Sequence, residues 1–347
     1  MGKDFYADRN RENIIKIQKI IKPLPPYVAD FFVGIETRTS TLTRLNYAYD
    51  LRVFFDYLSK ERFTSLSPHE ITLEKLGEIE SFDFERFLSY LGNYVDEEGK
   101  TRSCNEQAKK RKLSSIRSFF KYFFNKGLLD SNEAAKVSLP KIHDREIIRL
   151  EVNEVVDILN QAEFGTEMTE HMKKYHENTK LRDVALLSLF LGTGIRISEL
   201  VGLNVDDIDF MTNGFIVTRK GGNRTILYFP DEVGECLFKY VSERNKNANI
   251  PNDEKALFVS LQNKRMSVRA VENLVKKYAK IVTPLKHITP HKLRSTYGTN
   301  LYRETGDIYQ VADCLGHKDV NTTRKHYAAI SEESRRNSAN VIKLRKD

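Results

Sequence analysis

Near the C-terminus the stretch LGHKDVNTTRKHYAAI, residues 315 to 330, surrounds one tyrosine with hydrogen-bond donors: His317, Arg324, Lys325 and His326 all precede Tyr327. A phenol is a poor nucleophile at its free pKa of about 10. It attacks a phosphorus when a neighbouring base takes its proton and cations neutralise the phosphate. A tyrosine half-buried in a core needs no such company. The residue types leave two readings, a packing tyrosine or a nucleophile aimed at a phosphodiester.

Three further stretches carry donors suited to the same chemistry. Arg196 follows Gly192-Thr193-Gly194 at a predicted helix start, where backbone amides attract an anion and a guanidinium can fork onto two oxygens. The plainer alternative pairs it with Glu199. Lys220 stands beside the turn of VTRKGGNRTI, either as a solubilising lysine or as an ammonium that protonates a leaving alkoxide. His291 and Arg294 lie three apart in TPHKLRSTYGT and so share a helix face with almost no acid nearby. Gly316 is expected to end a helix and leave His317 on a turn, with a new helix starting near Asn321.

The elements that must hold these groups are mixed. LRDVALLSLFLGTGIRISELVGL reads as helix, glycine turn and helix; GFIVTRKGGNRTILYF as two strands around a turn; ALFVSLQNKRM as a further strand. SVRAVENLVKKYAKIV is a helix with Ser267 as cap, and TPHKLRSTYGTNLY another, with Thr289 as cap and Pro290 at its first position. The first half is helical throughout, with no strand candidate. Residues 9–22 form an amphipathic helix stopped by KPLPPY. Leu51, Phe54, Phe55 and Leu58 then make an i, i+3, i+4, i+7 stripe. On the helix 107–126, Leu113, Ile116, Phe120 and Phe123 face a core, while Lys110, Ser114, Arg117 and Lys121 form an opposite basic face suited to a DNA groove or simply to solvent. Arg44 and Tyr47 are further DNA-binding candidates. Between the halves, VSLPKIHDREIIRLE has no periodicity and reads as a linker.

A chain of 347 residues exceeds one ordinary core and suits two domains. The formal net charge of +8 favours a polyanionic partner. The three cysteines, Cys104, Cys236 and Cys314, form no CxxC pair, which points to a reducing cytosol and away from a disulfide scaffold or zinc site. No apolar run reaches membrane-span length, and the N-terminus lacks the apolar stretch of a signal peptide. A cytoplasmic protein without a membrane partner is expected.

In order along the chain, an arginine after a glycine-rich turn, a hairpin lysine, His-x-x-Arg on a helix, Gly-His and a late tyrosine resemble the tyrosine recombinase family. GTGIRISEL, HKLRSTYGT and LGHKDVNTT match its three motif blocks, and within it the chain is most similar to Xer-type and simple mobile-element integrases. The resemblance implies an all-α N-terminal core-binding (SAM-like) domain, residues 23–137, after an extension over 1–22. A linker over 138–150 leads to a mixed α/β, mainly helical, catalytic domain with a small antiparallel sheet, 151–347. It implies a site-specific recombinase that cuts and rejoins DNA through a 3′-phosphotyrosine, for chromosome dimer resolution or for integration and excision of a mobile element. The catalytic set is Arg196, Lys220, His291, Arg294, His317 and Tyr327, with no metal and no cofactor. The implied partners are double-stranded DNA with inverted half-sites and the chain itself, as a tetramer exchanging C-terminal tails. Two departures stand out. Ser295 follows Arg294 where the family often has histidine, and the step from His317 to Tyr327 is one residue longer than in typical Xer proteins. The separate arm-binding domain of lambda-like integrases is not expected within residues 1–22. The alternatives are a type IB topoisomerase-like enzyme and a DNA-binding regulator without catalysis.

Overall fold

A computed structural model of the chain describes residues 5–96, 99–141, 148–219, 222–317 and 319–321. The chain divides into two compact units, Lys3–Arg145 and Glu146–Asp347, each built around its own interior.

The first unit comprises α1 (Phe5–Ile21), α2 (Tyr27–Gly34), α3 (Thr41–Tyr57), α4 (Leu73–Gly77), α5 (Ser81–Tyr90), a hairpin of β1 (Tyr94–Val95) and β2 (Thr101–Arg102), and α6 (Glu106–Asn125). Side-chain caps start the two long central helices. Ser40 accepts from the Thr43 N–H at 3.2 Å, and Asn105 from that of Ala108 at 2.9 Å. Leu51, Phe54, Phe55 and Leu58 of the α3 region, and Leu113, Ile116, Phe120 and Phe123 of α6, are all buried as the stripes require. Phe54 stacks on Phe84 at 5.8 Å, and Phe84 meets Phe120 edge-on at 5.0 Å. Asp50 is fully buried among these rings. A buried charge is costly unless it is paired. Lys112 at 3.1 Å, the Ser115 hydroxyl at 2.7 Å and Arg111 compensate the carboxylate, which pins α3 to α6. The hairpin corrects the expectation of a strandless first half. It is too short to show alternation, and its turn is set by Asp96, which accepts from the Lys100 N–H and from Arg102 Nε.

The second unit comprises α7 (Val152–Phe164), α8 (Glu170–His176), α9 (Lys180–Thr193), α10 (Ile197–Leu200), the strands β3 (Ile208–Asp209), β4 (Gly214–Thr218) and β5 (Arg224–Tyr228), then α11 (Asp231–Lys246), α12 (Val268–Val282), α13 (Pro290–Thr305) and α14 (Ile308–Leu315). α9 packs against α7, α11 and α13, and is apolar nearly all round because it is surrounded. Its one buried carboxylate, Asp183, accepts from the Tyr278 hydroxyl at 2.8 Å and from Arg182. The strands form one antiparallel sheet in the order β3-β4-β5, with Thr218 opposite Arg224 at the open end. Ala256–Met266 is not a strand. It makes only the isolated bridges Asn204 with Ala256 and Val259 with Arg265, because Arg265 anchors the loop on the carbonyls of Val201 and Leu203. Ser267 caps α12 through the Ala270 N–H at 3.1 Å. Thr289 holds the cap position of α13 and Pro290 the first turn, yet the threonine hydroxyl makes no capping bond. Leu150, buried where the chain joins this unit, donates its N–H to the buried Thr296 hydroxyl of α13 at 3.0 Å. Among the described residues no helix is long and apolar enough to cross a membrane.

Candidate active site

α9 ends at Gly194, whose φ is +61°. That is the left-handed region that suits glycine at a helix end. A Cβ there would strike the Tyr297 ring and fall 2.9 Å from Leu315 Cδ2, so the turn, α13 and the end of α14 meet closely. Gly192, expected to share the turn, lies inside α9 instead. A Cβ at 192 would come within 2.7 Å of Val233 Cγ2, so this glycine serves the close approach of α11.

Arg196 leaves the turn in an extended conformation at the head of α10. Its N–H and Nη1 donate to the buried Glu199 carboxylate at 3.1 and 2.8 Å, and its Nη2 donates to the Gly316 carbonyl at 2.9 Å. The plain pairing with Glu199 is therefore present, and the carboxylate holds the guanidinium in place rather than removing it from the site. Arg294 projects from α13, only 6% exposed, and donates to the carbonyls of Gly194 and Leu315. α14 stops at Gly316, φ +59°, and His317 follows with its N–H on the Ala312 carbonyl at 2.9 Å. The structure thus brings Arg196, Arg294 and His317 to one corner, residues 194 and 315–317. His291 lies one turn before Arg294 on α13, on the exposed side. Lys220 and Tyr327 lie outside the described residues. So does most of the helix expected from Asn321, of which only the first residues, opened by the Asp319 carboxylate on the Asn321 N–H, are described.

Arg219, directly after β4, is a residue that sequence reasoning misses. A Cβ at Gly316 would fall on its guanidinium, so Arg219 reaches the same corner from the sheet. Its only sequence signal is its place beside Lys220. Chemically the corner offers guanidinium N–H donors at two adjacent carbonyls, an arrangement able to bind the oxygens of an anion by charge-assisted hydrogen bonds. Tyr297, the phenol nearest this corner in the sequence, is a poor nucleophile. Burial pushes its pKa well above the ordinary range, and Cys314 beside it adds to the shift. Among the described residues no group of three or more His, Cys, Asp or Glu could hold a metal.

On the first unit the residues of the expected DNA face lie in different surroundings. Arg117 turns inward and donates to the carbonyls of Ala134 at 3.0 Å, of Ala135 and of Val137, which fixes the chain after α6. Arg44 is buried and paired with Glu36 at 2.6 Å, and Tyr47 stacks on Phe31. Lys110 is half-buried, whereas Ser114 and Lys121 are exposed; the Ser114 hydroxyl is turned back to the Lys110 carbonyl at 2.8 Å. The basic surface is shifted along α6. Ser118, Lys121, Asn125 and Lys126 join Arg38 and Thr39 around a cleft of about 500 Å³ whose lining holds no acid. Its floor forms because Gly34 lets the Tyr122 ring lie on the backbone, where a Cβ would be 2.7 Å from the phenol oxygen. The sequence signal was the 118, 121, 125 spacing, masked by the more basic 110, 114, 117, 121 series.

The N-terminal SAM-like domain of phage integrases matches residues 30–127, and the phage integrase family matches residues 149–334. The tyrosine recombinase XerC of Caldanaerobacter subterraneus subsp. tengcongensis is 30% identical over 330 residues, covering 91% of this chain and 86% of that protein. XerC of Leptospira interrogans is 28% identical over 303 residues and covers 87% of each. Among solved structures, a XerH site-specific recombinase bound to a palindromic difH substrate has a TM-score of 0.64 at 18% identity, covering 86% of this chain and 80% of that one. A lambda integrase tetramer bound to a Holliday junction has a TM-score of 0.60 at 17% identity, covering 86% and 76%.

Proposed function

The chain belongs to the phage integrase family, the tyrosine recombinases, and from that premise we propose how its own residues carry out site-specific recombination of DNA. Tyr327 attacks a DNA phosphorus in line, forming a 3′-phosphotyrosine and releasing a 5′-hydroxyl. The energy of the broken ester is kept in the new one, so rejoining is the same reaction in reverse with another 5′-hydroxyl. Arg196 and Arg294 bind the non-bridging oxygens, where charge builds in the transition state. His317 donates a hydrogen bond to the same phosphoryl group. His291 assists removal of the Tyr327 proton, and Lys220 protonates the leaving oxygen. No metal or cofactor has a part in these steps.

The observation that carries this reading is the convergence of Arg196, Arg294 and His317, from three separate segments, on residues 194 and 315–317. Residues 23–137 form the core-binding domain and 151–347 the catalytic one, with 1–22 as an extension and 138–150 as a linker. In the first domain, Lys110, Ser114, Lys121 and the cleft formed with Arg38 and Lys126 hold the DNA backbone. Four copies act in the cytoplasm on two paired sites with inverted half-sites, each passing its tail, residues 332–347, to a neighbour in a closed ring. The reaction serves chromosome dimer resolution or the movement of an integrating element.

The test uses a nicked duplex enriched from a random-sequence pool by covalent capture on the wild-type chain. Wild type should become attached to the DNA through Tyr327, and Tyr327→Phe should bind without attachment. An adduct that persists in the variant, mapped to Tyr297 or Tyr302, would overturn the assignment. Exchange between two marked sites separates recombination from simple relaxation of supercoils. Deleting 332–347 should spare binding of one half-site and abolish exchange.

A further inference from the structure

We propose that Arg219 is a third guanidinium at the scissile phosphate, beside Arg196 and Arg294. This deepens, and rests on, the reading of residues 194 and 315–317 as the phosphate site. Any side chain at 316 would place its Cβ on the Nη1 and Cζ of Arg219 and 3.0 Å from its Nη2. The guanidinium therefore lies flat over the one face of Gly316 that has no side chain. The same residue's carbonyl accepts from Arg196, and the preceding carbonyl from Arg294. Three guanidinium groups from three elements, β4, the α9–α10 turn and α13, thus surround two consecutive peptide groups.

The placement is held by the backbone. The Arg219 N–H donates to the Asn223 carbonyl at 2.8 Å, and the Arg219 carbonyl accepts from the Gly222 N–H at 3.0 Å, directly after the Thr218–Arg224 pair that closes the sheet. The Arg219 Nε is buried with no hydrogen-bond partner among the described residues. A buried donor left unpaired is a cost that a ligand rich in acceptor oxygens removes. Like charges gathered in one place also raise one another's free energy, and an anion between them reverses the sign of that interaction. A DNA phosphodiester supplies both the oxygens and the charge. Arg219 makes and breaks no bond. It donates N–H to a non-bridging oxygen, and its hydrogen bond strengthens as charge builds there.

The test compares single-turnover cleavage of the captured nicked duplex with that of the same duplex carrying a methylphosphonate at the scissile position, which replaces one charged oxygen by methyl. Arg219→Ala should slow cleavage of the ordinary duplex by about a hundredfold, the usual loss for one donor at a developing charge. On the methylphosphonate the loss should shrink to a few-fold, and Arg219→Lys should recover part of the rate on the ordinary duplex only. An equal loss on both duplexes would make Arg219 a packing residue for Gly316 and overturn the proposal, as would no loss on either. If Arg219→Ala fails to bind the duplex in a gel shift, Arg219→Lys and Arg219→Gln carry the same comparison. Failure of wild type to attach to any duplex would instead sink the reading of the site as a whole.

Discussion

Arg117 in the first unit and Arg294 in the second do the same local thing. Each leaves a long helix, is drawn inward, and donates to backbone carbonyls outside that helix. Arg117 does so by itself, and its carbonyls belong to the chain just after α6. Arg294 shares its corner with Arg196 and Arg219, and the carbonyls it holds belong to two turns opened by left-handed glycines. A carbonyl-bound arginine alone is a staple. Several converging on one pair of peptides concentrate positive charge, which Glu199 offsets only at Arg196. The proposed phosphate site rests on that convergence, and neither burial nor hydrogen bonding of a single arginine distinguishes the two cases.

The sharpest way to break this comparison is to remove both arginines in turn. Arg294→Ala should reduce single-turnover cleavage about a thousandfold, the upper range for loss of a donor at a developing charge. Arg117→Ala should cost roughly 1–3 kcal/mol of stability, the cost of leaving buried carbonyls unpaired, with cleavage per folded molecule unchanged. Urea unfolding and a cleavage time course on both variants separate the outcomes; similar cleavage losses would erase the distinction. The glycines offer a second, smaller contrast. At Gly316, where φ is +59°, a Cβ is both strained and forced onto Arg219. Gly316→Ala should therefore lower cleavage about a hundredfold by displacing the corner. Gly306 also has a left-handed φ, +66°, but open space around it. Gly306→Ala should cost about 1 kcal/mol of stability, with little change in rate. The smallest effect belongs to the first unit's cleft. Replacing Lys121 and Lys126 by Ala should weaken DNA binding evenly across sequences and lower the slope of log affinity against log salt by about two. An unchanged slope would move the DNA surface back toward Lys110 and Ser114.

Much of this was legible before the structure. The phenylalanine stripe of α3, the Ser267 cap, the hairpin around residues 221 to 223 and the stop at Gly316 all follow from local rules of spacing, capping and left-handed turns, and local rules survive folding. What stayed hidden depends on the approach of distant segments. Gly192 reads as a turn residue until α11 is seen against it. Ala256–Met266 has the composition of a strand, but Arg265 ties it to residues 201 and 203 before it can pair. Arg44 and Arg117 read as a surface until their partners at Glu36 and Val137 are known. Arg219 was invisible for the same reason, since nothing near it in sequence announces Gly316.

The hydrogen bond from the Leu150 N–H to the Thr296 hydroxyl also has a mechanical meaning. Thr296 sits two residues beyond Arg294 on the same helix, and its own hydroxyl donates to the Lys292 carbonyl at 3.0 Å. The strand of chain that arrives at the second unit is therefore moored to the helix that carries Arg294 and His291. The entry of the chain into this unit is thus fastened on α13 itself, two residues from Arg294 and five from His291.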